Sequence, residues 1–253
     1  MFKDPLIIGN RKFSSRFILG SGKFSLDITS KVIESSGAEI ATIAIRRASD
    51  GEGNILDYIP ENVVLLPNTS GARNAIEALR LGKLSRELGC GDFIKVEVIK
   101  DSKYLFPDNY ETIKATKLLF DEGFIPMVYM MPDLNVAKDL EKSGAGAIMP
   151  LAAPIGSNGG LLTKNLIKIL VDEIDAPIIV DAGIGSPSQA CEAMELGVDA
   201  IMANTAIATA NNIVQMAKAF KLAIKAGRCA YLAGLGRVLN QAEASSPLTG
   251  FLK

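Results

Sequence analysis

The chain has 253 residues, 48% of them hydrophobic and 22% charged, which suits one large α/β barrel or two ordinary domains. Its formal net charge of −1 gives no overall basic character that would favour nucleic acid or a membrane surface. The sequence contains no histidine, which excludes Ser-His-Asp and Cys-His catalysis and the usual histidine zinc sites. Acid–base chemistry therefore has to come from Lys, Asp, Glu, Tyr, Cys or water.

The cysteines and the N-terminus point to a cytoplasmic protein. Cys90, Cys191 and Cys229 are scattered, with no C-x-x-C and no metal-ligand spacing. Such usage is typical of reduced thiols in the cytosol. The first residues lack the pattern of a signal peptide, and no apolar run reaches the length of a membrane span. We therefore expect a cytoplasmic protein that binds neither nucleic acid nor a membrane.

Short apolar runs alternate with amphipathic segments along most of the chain. Residues 6–13 predict a small hairpin that turns at Gly9 and Asn10 and caps one end of the domain. Eight strands are predicted by the apolar runs at 17–20, 39–45, 63–67, 93–101, 125–130, 147–150, 177–181 and 200–203. Helices are predicted by the periodic segments at 26–36, 74–88, 109–122, 134–142, 163–173, 186–196 and 213–225. Residues 46–62 are polar and aperiodic, and predict a long loop with room for one short helix.

This order of elements predicts a single α/β domain over residues 1–253, a (β/α)₈ TIM barrel. Residues 1–16 would form the N-terminal hairpin cap, residues 46–62 an irregular second βα segment, and residues 227–253 a C-terminal tail. Continuously apolar strands are expected when parallel strands are buried on both faces. A doubly wound open sheet is the main alternative, but the strand count and the absence of an early G-x-G-x-x-G weaken it.

The fourth predicted strand carries charge on one face. Strand alternation places Lys95 and Glu97 together, whereas Ile94, Val96 and Val98 share the opposite, apolar face. An inward lysine can attack a carbonyl as a nucleophile. The alternative is a half-solvated edge strand with a structural ion pair. Burial would lower the pKa of Lys95 and a nearby Glu97 would raise it, and both outcomes remain open at this point.

A glycine-rich turn follows the seventh predicted strand, and another turn is predicted after the eighth. Asp181 ends the seventh strand and is followed by the sequence AGIG at 182–185, while Asn204 and Thr205 follow the eighth. In (β/α)₈ barrels the loops after strands seven and eight commonly bind phosphate, and this analogy predicts a phosphate site here. Plain turn chemistry is the alternative, with Asp181 as a cap or turn residue. Residues 154–160 form either a third loop of backbone donors or a flexible connection.

In a barrel, Lys95, Glu97 and Asp181 form an interior set of one amine and two carboxylates. A neutral lysine can form an imine with a ketone or aldehyde, and either carboxylate can move the proton on the neighbouring carbon. Tyr58, Tyr104 and Tyr231 could also donate protons, but no sequence pattern places them near this set.

The chain resembles the bacterial thiazole synthase family, which assembles the thiazole phosphate moiety of thiamine. The resemblance lies in seven segments that follow one another in the same order. The motifs that carry the resemblance are FILGSG at 17–22, LLPNTSGAR at 65–73, IKVEV at 94–98, MPL at 149–151 with APIGS at 153–157, DAGIG at 181–185, NTAIA at 204–208 and SSPLTG at 245–250. No single motif is specific, but their number and order are.

The resemblance implies a (β/α)₈ barrel that binds 1-deoxy-D-xylulose 5-phosphate. It assigns the Schiff-base lysine to Lys95 and the acid–base carboxylates to Glu97 and Asp181. The substrate-binding positions that it implies are Gly156, Ala182, Gly183, Asn204 and Thr205, and Gly185 of the same turn joins the predicted site. Ala152 and Asn158 stand where the family often has glycine, a departure that would narrow the loop around Gly156.

The resemblance also implies co-substrates and partners. Sulfur would come from the C-terminal thiocarboxylate of a small ubiquitin-like sulfur carrier protein, and dehydroglycine (iminoacetate) would supply the remaining C–N unit. A homo-oligomer, either a dimer or a tetramer, is expected, with no metal and no organic cofactor. Two other functions stay open: a Schiff-base aldolase on a sugar phosphate, and a non-catalytic phosphometabolite-binding protein.

Overall fold

A computed structural model describes residues 4–44 and 55–245 of the chain. An antiparallel hairpin opens it, with β1 (Leu6–Ile8) paired to β2 (Arg11–Phe13). The hairpin prediction is confirmed. Most of the segment predicted as an irregular loop, residues 46–54, lies outside the described residues. A 3₁₀ helix, Ile55–Tyr58, follows it, where the sequence left room for one short helix.

Eight parallel strands form the barrel. They are β3 (Phe17–Gly20), β4 (Ile40–Ala44), β5 (Val64–Asn68), β6 (Phe93–Val96), β7 (Ile125–Met130), β8 (Ala147–Pro150), β9 (Ile179–Val180) and β10 (Ala200–Ala203). The strand order is β8-β7-β6-β5-β4-β3-β10-β9, and every pairing is parallel. Bridges from Ile148 to Ile178 and from Leu151 to Asp181 join β8 to the β9 segment and close the ring. The predicted (β/α)₈ TIM barrel is confirmed.

Helices follow the strands. They are α1 (Leu26–Ser36), α2 (Ala75–Glu87), α3 (Asn109–Asp121), α4 (Leu134–Lys142), α5 (Lys164–Glu173), α6 (Pro187–Glu195), α7 (Thr205–Ala208) and α8 (Ile213–Ala233). Side chains before several helices accept backbone N–H groups that would otherwise be unpaired, as Asn74 does from Glu77. Ser186 and Gln189 form a capping box at the start of α6. No helix in the described part of the chain is long and apolar enough to cross a membrane.

Two predicted boundaries were wrong. The helix α7 begins directly after β10, where the sequence predicted only a turn. The last helix runs to Ala233, although residues from 227 onward were predicted as tail. The helix continues through Gly227. A Cβ at this position would lie 2.4 Å from the carbonyl oxygen of Cys191 on α6, so a larger residue would not fit there. This glycine instead allows close packing of α8 against α6, and the helix ends at Gly234, which has φ +79°.

The buried apolar side chains form two layers. One layer lies between the strands and the helices and includes Ile94, Val96 and Val98. The other fills the barrel interior at the N-terminal ends of the strands and includes Phe93 and Phe13 of the hairpin, whose rings meet edge to face. The hairpin therefore plugs one end of the barrel, so an interior cavity can open only at the other end, where the strands finish.

A charged cluster fastens the start of the chain to the barrel and to the last helix. Asp4 accepts hydrogen bonds from Arg228 at 2.8 and 3.0 Å and forms an ion pair with Arg16 at 2.8 Å. Arg16 also donates to the backbone oxygen of Asp199 at 2.7 Å. The hydrogen bonds from Arg228, together with both nearby guanidinium charges, hold the pKa of Asp4 below its usual value despite partial burial.

We expect Asp4→Asn to lower the free energy of unfolding at pH 7 by about 2 kcal/mol, because charge-assisted hydrogen bonds are lost. A group whose pKa is lowered by folding stabilises the fold above its unfolded pKa, and this stability is lost as the pH falls through the folded value. The difference between variant and wild type should therefore shrink at acidic pH. Urea denaturation at pH 7 and pH 3 measures it. Asp121→Asn, at an exposed helix pair with Lys117, should change stability by less than about 0.5 kcal/mol; an equal loss in both variants would contradict the prediction.

Candidate active site

Three charged side chains meet inside the barrel, near the C-terminal ends of the strands. The Nζ atom of Lys95 lies 2.6 Å from Oδ2 of Asp181 and 2.7 Å from Oε1 of Glu97. All three residues are buried, and only 3% of Lys95 is exposed. The lysine therefore points into the barrel, and the alternative of a half-solvated edge strand was wrong.

Strand alternation explains how Lys95 and Glu97 come together. Lys95 lies on β6, and Glu97 lies just beyond the end of that strand on the same face. Thr69, which follows β5, fixes this point from the neighbouring strand. Its hydroxyl donates to the backbone oxygen of Glu97 and accepts from the backbone N–H of Glu97, both at 2.8 Å. Its own N–H donates to the backbone oxygen of Lys95 at 3.0 Å.

Asp181 reaches the same place from the strand that closes the barrel. Its backbone N–H donates to the carbonyl oxygen of Pro150 at 3.1 Å, which joins the β9 segment to β8. Its carboxylate points inward to Lys95. Asp181 is therefore not a helix cap: the cap of α6 is Ser186.

The pKa values of Lys95 and Asp181 both lie above their ordinary values in this cluster. Burial alone would lower the pKa of Lys95, but the Asp181 and Glu97 carboxylates outweigh it, so this pKa lies above its ordinary value. Burial raises the pKa of Asp181, against the opposing effect of Lys95. The two carboxylates thus favour the protonated form of Lys95, and burial makes the Asp181 carboxylate a stronger proton acceptor than an ordinary aspartate.

A cavity of about 250 Å³ opens above this cluster. Its lining contains all three charged residues together with Gly156, Ala182, Gly183, Asn204 and Thr205. Gly185 is the one predicted site residue outside that lining. A Cβ at Gly185 would lie 2.5 Å from the backbone oxygen of Asn158, so this glycine supports the loop that carries Asn158 instead of facing the cavity.

The turn after β9 needs its unusual backbone. Ala182 and Gly183 have φ values of +65° and +80°, in the left-handed region. A Cβ at Gly183 would lie 2.4 Å from the backbone nitrogen of Ala153, so only glycine fits between the two loops. Asn158, at a position where the sequence resemblance implies glycine, also has a positive φ of +52° and lines the cavity. The loops after β8 and β9 are thus packed against each other at the cavity wall.

Comparison with known proteins decides the family. The model of the family "Thiazole biosynthesis protein ThiG" matches residues 7–247. The chain belongs to the ThiG family. A thiazole synthase of Clostridium beijerinckii is 68% identical over 255 residues, covering 100% of both chains. A thiazole synthase of Fusobacterium nucleatum is 69% identical, covering 99% of this chain and 98% of its own. The chain is therefore an enzyme of thiazole biosynthesis.

Solved structures agree with the ThiG barrel. The crystal structure of the Amycolatopsis orientalis BexX/CysO complex matches with a TM-score of 0.85 and 30% identity, covering 94% of this chain and 100% of that one. The thiamine phosphate pyrophosphorylase of Pyrococcus furiosus matches at 12% identity and a TM-score of 0.59, which supports the fold alone.

Two residues of this ThiG site were missed from the sequence. One is Thr69, which braces Glu97. The other is Tyr129 on β7, fully buried, whose ring centroid lies 5.5 Å from Nζ of Lys95 and whose hydroxyl donates to the carbonyl oxygen of Leu105 at 3.4 Å. Burial, and then Asp181 and Glu97, raise the pKa of Tyr129, so it stays neutral. Alternation along β7 puts Tyr129 on the face of Met127, which packs in the barrel interior, and that signal could have identified it.

The tyrosines considered from the sequence lie elsewhere. Tyr58, Tyr104 and Tyr231 are each more than a third exposed, and none of them lines the cavity. Asn204, in contrast, lines the cavity and has a buried side-chain oxygen that accepts no hydrogen bond from the described residues. An unpaired buried acceptor is costly, so a hydroxyl of a bound molecule would satisfy it.

Proposed function

We propose that this enzyme forms the thiazole phosphate moiety of thiamine from 1-deoxy-D-xylulose 5-phosphate, dehydroglycine and the sulfur of a carrier protein's C-terminal thiocarboxylate. The observation that carries the proposal is the buried Lys95 amine between two carboxylates at the base of a glycine-walled cavity. Membership of the ThiG family supports the reaction, and the geometry supports the role of Lys95 as the Schiff-base residue.

The first step forms the imine. One of the two neighbouring carboxylates, Asp181 or Glu97, takes the proton of the Lys95 ammonium, and the neutral amine adds to the ketone carbon. Loss of water from the carbinolamine then gives the Lys95 imine, with Asp181 or Glu97 returning the proton that the leaving hydroxyl needs. Both carboxylates lie within hydrogen-bond distance of the nitrogen, so no large movement is required for this exchange.

The imine acts as an electron sink for the next steps. A carboxylate removes the proton on the neighbouring carbon, which moves the carbonyl along the sugar chain. The thiocarboxylate sulfur then adds to the new carbonyl carbon, which loses its oxygen as water, and cleavage of the acyl–sulfur bond by water releases the carrier as a carboxylate. The nitrogen of dehydroglycine displaces the Lys95 amine from the imine carbon, and the sulfur adds to the dehydroglycine carbon to close the ring. We assign the acid–base steps to Glu97 and Asp181, and binding of the sugar phosphate to Gly156, Ala182, Gly183, Asn204 and Thr205. Gly185 supports this wall from behind.

We further propose a sulfur carrier protein as partner, a homo-oligomeric state (dimer or tetramer) and a cytoplasmic location. The BexX/CysO complex supports a protein partner, because it is a structure of the same fold solved together with a second protein. The net charge of −1 and the unpaired cysteines are compatible with a cytoplasmic enzyme.

Reconstitution tests the function. The enzyme is incubated with the sugar phosphate, dehydroglycine and a carrier bearing a ³⁴S thiocarboxylate, and thiazole phosphate is measured by mass spectrometry. The matched control is the same carrier with an ordinary C-terminal carboxylate, which should give no product. Cleavage of a C–C bond in the sugar without any carrier would identify an aldolase instead. Binding without any adduct or product would identify a non-catalytic protein.

A further inference from the structure

The side chains that line the cavity carry little net positive charge with which to bind the phosphate of a substrate. Among the described residues that line the cavity, only Lys23 and Lys95 are basic, and Glu97 and Asp181 are acidic. The charge of Lys95 is already balanced by the two carboxylates beside it. A dianionic phosphate entering this space therefore has one uncommitted cation among these residues, which is Lys23.

Lys23 is placed at the wall opposite Lys95. It follows β3, and β3 is hydrogen-bonded to β10, whereas β6 lies three strands away around the ring. A Cβ built on Gly156 would lie 3.8 Å from Nζ of Lys23 and 3.8 Å from Oγ1 of Thr205. The ammonium and the hydroxyl therefore converge on the space above Gly156, which a side chain at position 156 would fill.

We propose that Lys23 is a phosphate-binding and specificity-determining residue, which pairs its ammonium with the phosphate of the sugar substrate above Gly156. This inference rests on the proposed function, since it assigns the phosphate end of the same substrate. The side chain is exposed, so its amine is hydrated without substrate and is free to move onto the anion when the cavity fills. The phosphate would then lie across the cavity from the imine nitrogen and hold the ketone toward Lys95.

Lys23→Gln tests the inference, with Lys31→Gln on the exposed face of α1 as the matched control. Borohydride trapping of the Lys95 adduct is measured against the concentration of 1-deoxy-D-xylulose 5-phosphate and of unphosphorylated 1-deoxy-D-xylulose. Lys23→Gln should raise the half-saturating concentration of the phosphorylated sugar about 10- to 100-fold, the range expected for a charge-assisted hydrogen bond. The unphosphorylated sugar should respond equally in the wild type and both variants.

Binding of inorganic phosphate distinguishes a failure of the role proposed for Lys23 from a failure of the proposed enzymatic function. Its dissociation constant, measured by calorimetry without any sugar, should rise at least about 10-fold in Lys23→Gln and stay unchanged in Lys31→Gln. If the wild type traps the sugar phosphate but Lys23→Gln leaves trapping and phosphate binding unaltered, the role of Lys23 is overturned and the function stands. If the wild type traps no sugar while Lys23→Gln still weakens phosphate binding, the imine is wrong and the phosphate site is supported.

Discussion

Replacing Lys95 with alanine is expected to abolish both the borohydride-trapped adduct and the formation of thiazole phosphate. Loss of a covalent nucleophile typically reduces turnover by at least about 10³-fold, because the remaining groups bind substrate without opening the imine pathway. Intact-protein mass spectrometry after incubation with the sugar phosphate and reduction measures the adduct, and peptide mapping places it. An adduct of undiminished yield on another lysine would overturn the assignment.

The same substitution should also destabilise the fold, in a pH-dependent way. Alanine leaves Glu97 and Asp181 buried without their cation, which costs about 3–5 kcal/mol for a broken buried pair. The pKa of Asp181, already raised by burial, rises further once Lys95 no longer lowers it. A carboxyl whose pKa is raised by folding favours the fold below its unfolded pKa and loses that advantage as the pH rises through the folded value. The loss of stability should therefore be smallest at acidic pH.

Lys95→Arg separates catalysis from stability. A guanidinium keeps the positive charge between the two carboxylates but stays protonated, so it forms no imine. We expect this variant to unfold closer to the wild type than Lys95→Ala does at pH 7, and to lack adduct and product completely. Activity in Lys95→Arg would show that the amine acts only as a charge, and the Schiff-base proposal would then fail.

The strand pattern predicted most of the barrel and the core of the site. The period of two in residues 93–98 identified Lys95 and Glu97 as inward because apolar side chains occupied the other face. The turn after β9 was identified because glycines and a terminal carboxylate mark it, whereas the turn predicted after β10 is the start of the helix α7. Strand alternation and turn residues can be read from a few neighbouring positions, so a single sequence is enough to predict them.

The features that were missed depend on packing between distant segments. Tyr129 reaches the site because β7 lies beside β6. The role proposed for Lys23 depends on β3 lying beside β10. Gly227 was predicted to begin the tail, yet it lies within α8 at the point where that helix packs closely against α6. Strand alternation could have placed Tyr129 inside the barrel, but the contacts of each of these residues are set by the tertiary arrangement.

Asp181→Asn is expected to separate imine formation from turnover. The amide has nearly the shape of the carboxylate but cannot act as a base, and general acid–base catalysis typically contributes about 10²–10⁴-fold. Turnover should therefore fall by at least about 10²-fold. Adduct trapping should persist. The negative charge of Asp181 raises the pKa of Lys95, so its loss leaves more of the neutral amine at a given pH.

The pH dependence gives this prediction a second readout. In the wild type, Asp181 must be ionised to accept protons, so kcat/KM should decline as the pH falls through its raised pKa. In Asp181→Asn that acid limb should be absent from the residual activity, while the trapping profile should move to lower pH. Glu97→Gln is the matched control, since it removes the other carboxylate at nearly the same distance from Lys95. An acid limb that survives in Asp181→Asn but disappears in Glu97→Gln would assign the base to Glu97 instead, and unchanged turnover in Asp181→Asn would remove Asp181 from the acid–base chemistry.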